Sequence, residues 1–159
     1  FKVGEKVGYP AHGVGVIESV QSRKISGTEK KFYMLRFLES DMTIMVPMEN
    51  VQSVGLRRII GKDTVSKVYK ILRDKKAGID QRTWNRRYRE YTEKIKTGSV
   101  LEIAKVLRDL FVLKGDKELS FGERKMLDTA RNLLVKELAI ARAHPEEKIM
   151  EELRTIFAP

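Results

Sequence analysis

The chain has 159 residues, of which 42% are hydrophobic and 34% charged, so it can build a packed core and stay soluble. It has no cysteine, which excludes disulfides, thiolate metal sites and cysteine nucleophiles, and no apolar run approaches the ~18 residues of a membrane helix. A formal charge of +10 favours polyanionic partners.

The surplus is uneven. Residues 1–60 hold nine Lys/Arg against six Asp/Glu, whereas residues 61–159 hold 23 against 16, so the polyanion site is expected in the second part. The opening FKVGEKV is charged and strand-like rather than a signal peptide, and a cytoplasmic location is expected.

Up to about Leu56 the pattern alternates, as half-buried strands do. Val7 to Tyr9 fits a short outer strand. Val14 to Val20 makes a longer run, ended by the turn Ser26-Gly27-Thr28. Phe32 to Leu38 is apolar on both faces and is expected to be central. Met42 to Val46 alternates after the turn Glu39-Ser40-Asp41, and Val51 to Val54 fits a further outer strand. Short strands and tight turns within 60 residues predict a small barrel of the SH3 or Tudor type.

After Gly61 the period becomes helical. Val65, Val68, Tyr69 and Leu72 follow i, i+3, i+4, i+7. A second helix is expected from about Thr83, its N-cap, to Lys96, with Gly98 ending it. Ser99 with Glu102 and Ser120 with Glu123 read as capping boxes opening the third and fourth helices. Ile103, Val106, Leu107, Leu110 and Phe111 form one buried stripe, closed by Gly115. Leu127, Ala130, Leu134 and Leu138 form the next. Pro145 is placed at the first position of a fifth helix carrying Ile149, Met150, Leu153, Ile156 and Phe157. The fold class expected is α+β: a small β-barrel over residues 1–60, then a compact all-α five-helix domain over residues 61–159.

Catalysis finds little support. The two histidines, His12 and His144, fall in different domains and read as turn or cap residues. Gly13-Val14-Gly15 contains G-x-G, but no helical pattern follows to cradle a phosphate, so its glycines read as turn and strand-bend residues. Most carboxylates sit in capping boxes or beside Lys/Arg at helical spacing. No enzyme activity, cofactor or metal is expected.

The strongest local signal is Gln81 to Tyr91. Between Arg82 and Lys96 six basic residues face two acids, and the single tryptophan lies among the arginines. Guanidinium forks bind phosphate oxygens, and an aromatic ring can stack on or wedge between bases. Trp84, Tyr88, Tyr91 and Ile95 also form one helical stripe, with Arg82, Arg86 and Arg89 on the solvated face, so periodicity alone leaves Trp84 as either core or wedge. Phe121, beside Arg124 and Lys125, suits either a DNA-facing patch or a contact closing its helix. In the third strand Met45 faces away from Met42, Ile44 and Val46. Pro47 follows, and its missing N–H suits an edge strand. That edge can dock a partner strand, or Met45 can pack against the helical domain.

FKVGEKVGYPAHGVGV, MTIMVPMENVQSVGLR, TWNRRYREYTEKIKTGS and LSFGERKMLDTARNLL together resemble the CarD/CdnL family of bacterial RNA polymerase-binding regulators, above all its myxobacterial CdnL branch. They occur in the family's order and span nearly the whole chain. The resemblance implies a Tudor-like domain docking on the polymerase β subunit, partly by strand pairing, through Arg23, Met45 and Pro47. Met45 stands where some relatives carry a basic residue, which implies a more apolar contact. It implies that the helical domain lies on promoter DNA at the upstream edge of the bubble. Trp84 would be the minor-groove wedge, with Arg86, Arg87 and Arg89 beside it and Phe121, Arg124 and Lys125 as a second patch. The expected agent is a monomeric, nucleoid-associated stabiliser of the open complex. A protein-interaction adaptor and a free-standing non-specific DNA-binding protein are the alternatives.

Overall fold

A computed structural model describes residues 1–75, 84–114 and 118–158, except for the side chains of Trp84 and Lys114. The expectations for Arg82, for Thr83 as a cap and for Gly115 as a helix stop lie outside the described residues, as does the placement of the Trp84 ring. The architecture is α+β, in two units, Phe1–Ile59 and Ile60–Pro159.

The first unit is Tudor-like, a five-stranded antiparallel sheet in the order β4-β3-β2-β1-β5. Its strands are β1 (Lys6–Tyr9), β2 (Gly13–Ile25), β3 (Thr28–Phe37), β4 (Thr43–Pro47) and β5 (Arg57–Arg58). Ser26 and Gly27 both take positive φ, 53° and 80°, which matches the right-handed twist of the long β2–β3 hairpin. Val7, Ile17, Tyr33, Leu35, Phe37, Val46 and Leu56 form the core.

The G-x-G is structural. A Cβ on Gly15 would lie 2.7 Å from Leu35 Cδ1 and 3.1 Å from the Arg36 carbonyl, so the residue lets β3 pack closely on β2. The adjacent turn places His12 against the rings of Tyr9 and Phe37, with centroids 5.3 and 5.6 Å away.

Two expectations change. Val51–Val54 is a helical turn, α1, following a 3₁₀ turn at Met48–Asn50, and the outer strand is β5 instead. Gly55 ends α1 at φ 79°, where a Cβ would also sit 2.8 Å from Pro10. Met42 lies outside β4 and is 56% exposed, so it does not share the inward side with Val46.

The second unit holds α2 (Lys62–Arg73), α3 (Trp84–Lys96), α4 (Val100–Lys114), α5 (Phe121–Arg142) and α6 (Glu146–Phe157). The spacing-derived stripes meet in one core that includes Val68, Leu72, Leu107, Leu110, Leu134, Leu138 and Ile149. Phe111 stacks on Phe157 with centroids 4.0 Å apart, closing α4 onto α6. The buried Glu137 carboxylate accepts the backbone N–H of Ile60 at 3.0 Å, pinning the start of the unit to α5. Pro145 is the N-cap of α6 rather than its first residue.

Candidate nucleic-acid interface and docking edge

Helix α3 buries Tyr91 and Ile95, four residues apart, and this fixes what faces outward. Arg86 and Arg89 are exposed, and Tyr88 is 48% exposed, so the expected four-residue stripe does not continue through Tyr88. Nearer its C-terminus α3 pairs its own charges, Lys94 with Glu90 at 3.5 Å and Lys96 with Glu93 at 4.0 Å. Arg86 and Arg89, in the first turns, expose their side chains to solvent.

Arg87 does not join them. Its side chain is 13% exposed, and its Nη1 lies 3.6 Å from Glu123 Oε2, itself 17% exposed. It also donates to the Tyr91 hydroxyl one turn along. Of the two arginines expected beside Trp84, Arg86 faces solvent and Arg87 turns inward, because residue 87 is four before Tyr91 and shares its buried face.

Glu123 belongs to a complete capping box. Its N–H donates to Ser120 Oγ at 3.3 Å, and its Oε1 accepts the Ser120 N–H at 3.1 Å. Partial burial works to raise the Glu123 carboxyl, but the Ser120 hydrogen bonds and the Arg87 charge outweigh it and hold it below the usual carboxylate range. Burial pushes the Tyr91 phenol up to about 12, with Asp109 adding to the shift and Arg87 opposing it.

The matching box at Ser99 is incomplete. Glu102 donates its N–H to Ser99 Oγ at 3.4 Å, but Thr97 Oγ1 accepts the Ser99 N–H at 3.2 Å, and the Glu102 carboxylate pairs with Lys105 instead.

Phe121, the first residue of α5, is 84% exposed, so it does not pack to close the helix start. Arg124 and Lys125, also exposed, follow in the same turn. The Arg87–Glu123 pair ties α3, which bears Arg86, Tyr88 and Arg89, to the turn that carries Phe121, Arg124 and Lys125. Tyr88 is the residue the sequence reading missed. Its place at the edge of the stripe, one residue after the inward Arg87, was the available signal. Trp84 opens α3 in the turn that holds Arg86 and Arg87.

In the first unit, β4 is an edge of the sheet, paired with β3 alone. Met34 faces Met45 and Phe32 faces Pro47 across that ladder, and both β4 residues are half-buried. Phe32 also pairs with Gln21, and Arg23, exposed and opposite Lys30, lies two residues beyond. Arg23 and Pro47 thus share one end of the sheet, with Met45 further along the edge.

His144 follows the left-handed Ala143 that ends α5 and donates its N–H to Ala139, as a cap residue does. Among the described residues no group of His, Asp and Glu could hold a metal ion, and no helix is long and apolar enough to cross a membrane.

Residues 1–60 match the CarD-like/TRCF RID domain and residues 67–154 the CarD C-terminal domain. The putative transcription factor YdeB of Bacillus subtilis (strain 168) is 33% identical over 151 residues, spanning 94% of this chain and 97% of that one. Among solved structures, CdnLNt from Myxococcus xanthus is 45% identical, covering 39% of this chain and 87% of its own, with a TM-score of 0.34. The 72-residue N-terminal domain of Myxococcus xanthus CarD is 29% identical, covering 36% and 77%, with a TM-score of 0.32. Both halves of the sequence match domains of one family in one order, and a relative aligns over nearly its full length: the chain belongs to the CarD family.

Proposed function

We propose that this CarD-family transcription regulator holds RNA polymerase through the β4 edge and promoter DNA through the first turns of α3 and α5, and so prolongs the life of the open complex. One observation carries the reading. An 84% exposed phenylalanine sits beside Arg124 and Lys125 on a turn tied at 3.6 Å to the helix bearing Arg86, Tyr88 and Arg89. Exposed aromatics among cations suit a surface that meets both phosphates and bases.

Tethering to polymerase raises the local concentration of a weak DNA-binding surface at the promoter. The arginines neutralise phosphates, which gives salt-sensitive and largely sequence-independent affinity. Trp84, at the head of α3, fills the base step opened at the upstream fork and offsets part of an unstacking cost of a few kcal/mol. The effect falls on collapse of the bubble. No step calls for a catalytic group, a cofactor or a metal, and the family is one of transcription factors.

Trp84→Ala is expected to shorten the open-complex lifetime with purified polymerase by the equivalent of ~1–3 kcal/mol while capture on the β subunit persists. Met45→Arg with Pro47→Ala is expected to do the reverse, weakening capture first. An unchanged lifetime in the tryptophan variant removes the wedge, and unchanged capture in the edge variant removes the docking strand.

A further inference from the structure

Arg86 and Arg87 are adjacent in sequence, yet they occupy different environments. Arg86 faces solvent, whereas Arg87 reaches across to Glu123 at 3.6 Å with little of either side chain exposed, and it also bonds Tyr91 on its own helix. Glu123 is held in turn by both bonds of the Ser120 capping box. The acid that closes the first turn of α5 is therefore also the anchor for α3. Phe121 lies two residues before that anchor, and Arg86 and Tyr88 flank the arginine that grips it. This ion pair links the two turns that carry the aromatic-basic patches.

A guanidinium matched by a carboxylate under partial burial has a different use from one in water. Its charge is already balanced, so it displaces no counterion when a polyanion approaches. What it supplies is geometry: a partly buried charge pair between elements favours one register, and removing one partner leaves the other poorly solvated.

We propose that Arg87 is a positioning residue that binds no phosphate but locks α3 to the first turn of α5 through Glu123, so that the side chains of both helices meet DNA as one surface. The inference rests on the DNA-binding reading of that surface. It also makes a claim the charge pattern alone contradicts: removing the negative charge of Glu123 from a DNA-facing surface weakens binding.

The test measures affinity of the full-length chain for a forked promoter duplex over a range of salt, with hydrogen exchange of the α5 first-turn amides on the same variants. Arg86→Met is expected to lower the slope of log affinity against log salt by about 1, as loss of one phosphate contact does. Arg87→Met and Glu123→Gln are each expected to weaken binding by about three- to tenfold with the slope unchanged, and to speed exchange at Glu123 and Arg124 but not at Leu134. Arg87→Lys, which keeps the charge but not the fork, is expected to recover part of the loss. A slope reduced by Arg87→Met as by Arg86→Met, tighter binding by Glu123→Gln, or unaltered exchange in both variants overturns the positioning role. Faster exchange with no change in DNA affinity in any variant, Arg86→Met included, leaves the tie standing as a fact of the fold and overturns the DNA reading, and with it the role assigned to Arg87.

Discussion

The two units present their surfaces by different means. The sheet unit offers main chain: β4, which carries Met45 and Pro47, is paired on one side only. The helical unit has spent its main-chain groups on its helices, so what it offers is side chains at helix starts, displaced from the buried stripes. The cores differ as well. Among the described residues, seven buried ones form the cluster of the sheet unit and twenty that of the helical unit. A unit of about 60 residues buries a smaller share of its unfolded surface and is the more marginal of the two.

The sharpest way to break this comparison is to open a hole in each core. Leu35 and Leu134 are both fully buried, and Leu→Ala at either is expected to cost about 2–5 kcal/mol. Against a total of about 5–15 kcal/mol for a domain, the loss weighs more on the smaller core. Leu35→Ala is expected to collapse the amide signals of the sheet unit while those of α4 and α5 stay dispersed. Leu134→Ala is expected to lower the melting temperature of the helical unit and leave β2 and β3 intact. A single transition in which both units melt together in either variant contradicts two separate cores.

A gentler probe is pH, because the shifted phenols and carboxyls lie in the helical unit. Burial, reinforced by the Glu152 hydrogen bond, pushes the Tyr69 phenol up to about 12, and Tyr91 stands at about 12 as well. The Tyr69 hydroxyl donates to Glu152 at 2.6 Å and accepts from Arg142, which also pairs with Glu152. A phenol raised above its ordinary 10.0 favours the neutral form in the fold. Its contribution is complete below about pH 10 and is lost as pH rises through about 12. The Glu123 and Glu152 carboxyls are held low, so their contribution is present above the usual carboxylate range and lost as pH falls through their folded values. Denaturant midpoints followed by helix signal are expected to fall at both extremes, and Tyr69→Phe is expected to flatten the alkaline side. An alkaline limb unchanged by Tyr69→Phe would show that this phenol does not control it.

How far these regions can be read from sequence follows from the range of the interactions that make them. Alternation located β1 to β4, and helical spacing located α2 to α6, because burial on one face imposes a local period. The Ser120–Glu123 box was legible because both partners lie within one turn. Val51–Val54 was not: an apolar pair three apart fits a helical turn as well as a strand, and a glycine such as Gly55 can end either. At Ser99 the competition is local instead: the Thr97 hydroxyl, two residues back, accepts the N–H that Glu102 was expected to bond. Arg87 lay beyond any local pattern, since its partner stands 36 residues away on another helix. Its spacing from Tyr91 was the one local trace that it belonged inside.

The smallest expected effect on stability is the most telling for function. Phe121 is 84% exposed at the first position of α5, where the cap is closed by Ser120 and Glu123 without it. Burial therefore holds almost nothing at this ring, and Phe121→Ala is expected to change stability by no more than about 0.5 kcal/mol. A large exposed aromatic that the fold does not use is open to an approaching partner, and here Arg124 and Lys125 follow it in the same turn. The variant is expected to weaken binding to a forked duplex several-fold with an unchanged salt slope, because a stacking contact carries no counterion. Equal loss on fully paired and forked DNA would assign the ring to the backbone rather than to opened bases. Undiminished binding on both would leave the helical unit with charge alone, and its difference from the sheet unit would then lie in the amount of positive charge it carries rather than in the aromatic side chains it presents.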